Sequence, residues 1–152
     1  MKVFPGPAAL AEETGNRLGR SGFRTIEQSV IDGFAALTGD RQWIHVDAER
    51  AGSGPFGMPI AHGMLTLSLG VTLLGEVFRV DGVRLVLNKG FDRVRFTAAV
   101  PAGARVRLVA DLVEVTGHAH GYTEAVLAVA MEIDGQSRPA YTARTRMLYQ
   151  EA

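Results

Sequence analysis

Two hydrophobic rhythms divide the chain. Before Gly82 the apolar residues recur at helical spacing or as unbroken runs; from Gly82 onward they fall on every second position. Pro7 to Thr14 reads as a short helix, with proline near its first turn and Gly15 where it stops. Leu18 to Ile26 mixes Phe, Thr and Ile with polar residues and predicts a first strand. Thr25-Ile26-Glu27-Gln28 matches a capping box, and Val30, Ile31, Phe34, Ala35 and Leu37 follow at helical spacing until Gly39, which suits the residue just past a helix end. Ala48 to Ala51 adds one turn, and the Gly/Pro-dense run from Gly52 to Pro59 must be irregular. Gly63 to Gly75 is apolar or small on nearly every side, which predicts a helix buried all round with structure wrapped about it.

The second rhythm predicts strands. Val83 to Thr97 is a long one, interrupted at Asn88-Lys89-Gly90, where glycine marks a bulge or bend. Pro101-Ala102-Gly103 is a turn. Ala104 to Thr116 puts Val106, Leu108, Ala110 and Leu112 on one face. A loop at Gly117–Gly121 leads to Tyr122–Ile133, and Asp134-Gly135 reads as a type I′ hairpin turn, whose central positions need φ > 0. The last strand, Ala140 to Tyr149, alternates Tyr141, Ala143, Thr145, Met147 and Tyr149 against Thr142, Arg144, Arg146 and Leu148. An antiparallel sheet must cover its apolar face, and the helix from Gly63 is the obvious filling. The fold class is α+β, one domain over residues 1–152, with a sheet wrapped around a central helix.

Composition narrows the function. Sixteen basic residues balance 16 acidic ones, so nothing points to nucleic acid or an anionic membrane as the main partner. The absence of cysteine excludes disulfides and thiolate chemistry and fits a reducing compartment. The first residues lack the apolar core of a secretory signal, and the uncharged stretch Gly63–Gly75 falls short of the roughly 20 residues a spanning helix needs. A soluble, cytoplasmic protein is expected.

One stretch carries chemistry. Thr38-Gly39-Asp40-Arg41-Gln42-Trp43-Ile44-His45-Val46-Asp47 places a carboxylate and an imidazole five residues apart, just past a helix stop. On a continuous helix, at about 100° per residue, they would point in well-separated directions, so they converge only if the segment between them is a turn or loop. A non-helical acid–imidazole pair is a candidate general acid/base site. Asp47 either caps the next turn or orients His45. His118 and His120 look metal-like, yet with neither Cys nor a nearby acid they fit a solvated hairpin loop better; no metal site is expected. Arg93, Arg95, Arg105 and Arg107 suit a solvated strand face as well as a phosphate contact. There is no phosphate loop or dinucleotide fingerprint.

Gly39-Asp40-x-x-x-x-His45-x-Asp47, followed by Ile60-Ala61-His62-Gly63-Met64 opening an apolar helix, resembles the MaoC-like dehydratase, or (R)-specific enoyl-CoA hydratase, family, and within it the small nodulation N-like members carrying Gln-Trp-Ile-His. The resemblance implies the hotdog fold, an antiparallel sheet around a long central helix, and a homodimer. It implies reversible addition of water to a trans-2-enoyl thioester of coenzyme A or acyl carrier protein, with no cofactor beyond what the substrate carries. It makes Asp40 and His45 the catalytic pair and the backbone N–H of Gly63 the oxyanion donor. Trp43, His62 and Asn88 are supporting candidates: His62 as a structural residue at the helix start, Asn88 as a residue that reaches the site or merely satisfies its bulge. Where the commoner family pattern has Asn-Pro, this chain has Gln42-Trp43, so the loop's shape must come from packing. A serine often found on the central helix falls at Val71. The alternatives are a hotdog thioesterase and a non-catalytic acyl-thioester-binding subunit.

Overall fold

The alternating half of the chain becomes one antiparallel sheet. In the computed structural model, which describes residues 1–152, the elements are β1 (Lys2–Phe4), a 3-10 turn (Pro7–Glu13), β2 (Arg17–Arg20), β3 (Arg24–Thr25), α1 (Gln28–Thr38), α2 (Trp43–Val46), α3 (Ala48–Gly52), α4 (Gly63–Val77), β4 (Phe78–Val80), β5 (Val83–Phe96), β6 (Arg105–His118), β7 (Tyr122–Ile133) and β8 (Tyr141–Glu151). The main sheet runs β2-β6-β7-β8-β5, with β3 pairing β6 just beyond β2. The predicted inward residues of β6 and β8 are buried, together with Val109 on the other face of β6, and Ala125, Leu127, Val129 and Met131 of β7 join the inward set. They form one core with Leu65, Leu73, Leu74 and Val77 of α4. Burying each large side chain contributes about 1.5–3 kcal/mol, which outweighs any helix or strand propensity.

Several local readings change. The predicted strand Leu18–Ile26 breaks in two at Ser21–Phe23, because the Ser21 hydroxyl enters the ladder and accepts the Leu108 N–H at 2.9 Å. The capping box is not made: Glu27 is the N-cap, without a side-chain cap bond, and Thr25 ends β3. Gln28 instead donates to Asp32 and to the His45 carbonyl, each at 2.8 Å. Asp134-Gly135 turns the chain, but only Gly135 has φ > 0, so the turn is not type I′, and β8 begins only at Tyr141. Strand pairing continues through His118, and the β6–β7 hairpin closes on a short 3-10 turn, Ala119–Gly121. The small parallel pair β1–β4 was not foreseen, since three-residue strands carry no readable period. The central helix is not buried all round: Met64, Ser68, Val71, Thr72 and Gly75 are exposed at i, i+4, i+7, i+8 and i+11, one continuous face that the sheet does not reach.

Lys89 is the extra residue of the predicted bulge, where register shifts between Asn88 and Gly90. Its ammonium meets Glu124 at 2.5 Å, and Arg146 meets the other carboxylate oxygen at 2.7 Å. The Glu124 side chain is only 6% exposed, and the Lys89 hydrogen bond, then that from Arg146, holds its carboxyl below the usual glutamate range. A depressed folded pKa stabilises the fold above the unfolded value of about 4.3 and loses that contribution as pH falls through the folded value. Glu124→Gln should therefore flatten the acid limb of a stability-versus-pH curve measured by chemical denaturation, leaving its shape near neutrality unaltered.

Candidate active site

Gly39 ends α1 in the left-handed region (φ 81°), its N–H bonded to the Ala35 carbonyl, as expected for a glycine at this position. The chain then leaves the helix for four residues and re-enters one at Trp43, so Asp40 and His45 do not share a helix. The loop is held by short-range bonds: the Asp40 N–H donates to Thr38 Oγ1, and the Gln42 N–H donates to Asp40 Oδ1, both at 3.4 Å. Trp43 does not face the cavity. Its half-buried indole lies under the Arg50 guanidinium, 4.6 Å from the ring centroid, and against Gly54, where a Cβ would come within 2.8 Å of the ring. Packing by Trp43 thus supplies the rigidity that proline gives elsewhere. Asp47 caps α3, accepting the Arg50 N–H at 3.0 Å.

His45 is buried, and its Nδ1 lies 2.7 Å from the Ile60 carbonyl oxygen. A carbonyl only accepts, so Nδ1 carries the proton and Nε2 of the neutral ring keeps its lone pair. His62 stacks on it, centroids 3.7 Å apart and planes 26° apart, with Phe34 beyond at 5.0 Å. By the same logic His62 Nε2, 2.9 Å from the Asp40 carbonyl oxygen, donates to it and ties the acid's backbone to the start of α4. Its Nδ1 is the one buried side-chain atom with no hydrogen-bond partner. His62→Leu should lower kcat about 10²-fold by releasing the loop, while KM changes little, and His62→Gln, which keeps an N–H donor, should restore part of the loss. Steady-state kinetics on both variants checks this.

Asp40, His45 and His62 each bring a potential ligand atom within 4.8 Å of the others. That grouping suits a shared water better than a shared ion. An imidazole lone pair lies in the ring plane, and two nearly parallel stacked planes do not meet at a point close to both rings. Asp40 and His45 make no direct hydrogen bond, and the acid is exposed while the base is buried. A water between them would bond to both.

Gly63 begins α4, and as a first-turn residue its N–H has no intrahelical partner. The helix dipole adds partial positive charge at the same place. Phe96, at the end of β5, lies against it: a Cβ on Gly63 would meet the ring at 2.9 Å. His45, Gly63 and Phe96 line a cavity of about 430 Å³ with Phe56, Met64 and Thr66 among its walls. Its lining is mostly apolar. Asn88 is not part of it; that side chain borders a separate hollow with Val71, Gly75 and Val86, nearer the far end of α4. The sequence reading missed Phe96 and the Ile60 carbonyl, since neither residue type signals a site and both are placed only by the sheet and by the bridge between Ile60 and Pro101. His118 and His120 lie in the β6–β7 hairpin, where His118 faces Glu124 at 3.4 Å.

This combination of helix-wrapping sheet, acid–imidazole loop and glycine-started helix agrees with the matches to known proteins. The chain belongs to the MaoC-like domain family, whose model matches residues 10–132. Its fold is the hotdog fold. It is 43% identical over 149 residues, 98% of this chain and 99% of the other, to 3-hydroxyacyl-thioester dehydratase Z of Mycobacterium tuberculosis. Nodulation protein N of Rhizobium leguminosarum is 40% identical over 138 residues, covering 90% of this chain and 86% of its own. Among solved structures, the (R)-hydratase from A. caviae involved in PHA biosynthesis superposes with a TM-score of 0.71 at 25% identity, over 89% of this chain and 95% of that one.

Proposed function

We propose that this chain is a hydratase of trans-2-enoyl thioesters, working in reverse as a 3-hydroxyacyl-thioester dehydratase, with (R)-stereochemistry at the hydroxyl-bearing carbon. The observation that carries the reading is the Nδ1–H bond from His45 to the Ile60 carbonyl, which leaves the other ring nitrogen with its lone pair. The ring lies on the wall of a cavity that Gly63 also lines, and the Asp40 carboxylate, though outside that lining, comes within 4.8 Å of a His45 ring nitrogen. The thioester carbonyl accepts that N–H. Asp40 and His45 hold one water between them and remove its proton as its oxygen bonds to C3. Electrons from the C2=C3 bond move onto the thioester oxygen, where the Gly63 N–H and helix dipole meet the developing charge. The pair then returns a proton to C2, so atoms and charge balance without a metal or redox cofactor. The two groups act on the same water, and the proton transfers are shared between them.

The mycobacterial relative's name, a 3-hydroxyacyl-thioester dehydratase, supports the substrate class. Coenzyme A or acyl carrier protein would sit outside the cavity mouth. A homodimer belongs to the same reading. The exposed face of α4 with Val71, and the unpaired edge strand β5 with Val86 (44% exposed), border one hollow and offer adjoining apolar surface to a second copy. No helix of the chain is long and apolar enough to cross a membrane, and a cytoplasmic location is part of the proposal.

The test uses purified protein and crotonyl-CoA, following enoyl absorbance and free thiol together. Loss of absorbance without thiol release, giving the (R)-3-hydroxy product on chiral chromatography, is expected. Thiol release without hydration would overturn the reading in favour of a thioesterase, and binding without turnover would leave a carrier-binding subunit.

A further inference from the structure

We propose that Tyr141 is the residue that closes the inner end of the catalytic cavity and so limits the acyl chains this enzyme accepts to short ones. The inference rests on the enoyl-thioester reading above. It begins with the direction an acyl chain must take. The cavity's exposed residues, Phe56, Met64 and Phe96, mark its mouth; of its buried ones, His45 and Ile60 form the catalytic wall, and Ala61, Thr66, Val100 and Ala140 line the rest. With the thioester carbonyl on the Gly63 N–H, the charged carrier stays at the mouth and the apolar tail runs inward past Thr66.

Thr66 and Gly70 are one turn apart on the same buried face of α4. Beyond Thr66 the tail therefore meets Gly70, and at Gly70 it meets Tyr141. This side chain follows Ala140 at the start of β8 and is 1% exposed. Its ring stands edge-on to Phe96, centroids 6.3 Å apart and planes 75° apart. Its hydroxyl touches the helix: a Cβ on Gly70 would lie 2.1 Å from Oη. Glycine in a helix interior is destabilising, and here it is what lets the tyrosine reach the backbone. Against Tyr141 and Gly70 lies a second, nearly filled gap of about 10 Å³, walled also by Leu74, Phe91, Leu108, Val129 and Met147, whereas the catalytic cavity reaches the preceding residue, Ala140. Those walls suit methylenes. The cavity and the gap thus follow one another along α4, and the Tyr141 ring is the partition. Phe96 alone would not serve, since it is half exposed at the mouth.

The experiment compares kcat/KM on crotonyl-, octenoyl- and dodecenoyl-CoA for the wild type, Tyr141→Ala and Tyr141→Phe. The wild type should fall at least tenfold from crotonyl to dodecenoyl. Tyr141→Ala should raise the dodecenoyl-to-crotonyl ratio at least tenfold, and Tyr141→Phe, which keeps the ring, should leave the profile as it was. If the alanine variant does not fold, Tyr141→Leu takes its place under the same criterion. A wild type equally active on dodecenoyl and crotonyl substrates, or a folded, active alanine or leucine variant with the wild-type profile, overturns the proposal. Absence of enoyl consumption by the wild type at every length would instead remove the hydratase reading, and this proposal with it.

Discussion

Asp40→Asn and His45→Gln should each retain the fold and lose about 10²–10⁴-fold in kcat, measured on crotonyl-CoA with thermal melts as the fold control. The reason is local. Asp40 is exposed, so an amide of the same shape strands no buried charge there. His45 is buried, and its structural bond is the Nδ1–H to Ile60, at 2.7 Å. Glutamine loses the basic Nε2 while retaining an amide N–H that can serve the same carbonyl. If the two groups act on one water, the double variant should be scarcely slower than either single one, because removing either already disables the relay. Additive losses would mean two separate roles. Near-normal turnover by the folded single variants would remove the pair from the mechanism.

The second large effect concerns Gly63, where the proposed donor is backbone and no ordinary side-chain substitution removes it. Proline does. Gly63 is the first residue of α4, where proline is well tolerated, and His62 before it has φ −60° and ψ 137°, the extended conformation a following proline requires. Gly63→Ala is the matched control, since its Cβ meets Phe96 at the same 2.9 Å yet keeps the N–H. Both variants should lose activity through crowding by Phe96. Gly63→Pro should fall a further 10²–10³-fold or so in kcat below Gly63→Ala, the usual loss for one oxyanion donor. Equal activities in the two would place the thioester oxygen elsewhere.

The sheet was readable because burial imposes a period of 2 on β6 and β8, and the alternation from Tyr141 to Tyr149 matched residue for residue; the central helix was readable as an unbroken run of apolar and small residues. The loop between Asp40 and His45 was readable from the glycine that stops α1 and the impossibility of convergence on one helix. Other features depend on which surfaces meet, which no local pattern encodes. The exposed face of α4 looks from sequence like any other apolar helix face. Asn88 sits in a bulge as expected, but it borders the hollow beside Val71 and not the cavity that His45 lines. Phe96 reaches Gly63 only because β5 runs back to the start of α4, a contact between residues far apart in the chain. The split of the first strand at Ser21 turned on one hydroxyl finding a ladder N–H 87 residues away.

The most direct test of the central claim is the fate of water oxygen. Wild-type protein, crotonyl-CoA and heavy-oxygen water are incubated, and the products are read by mass spectrometry. The account predicts label on the C3 hydroxyl of an intact 3-hydroxyacyl-CoA, formed by the wild type and about 10²–10⁴-fold more slowly by Asp40→Asn. Label in a free carboxylate, with coenzyme A released, would contradict it.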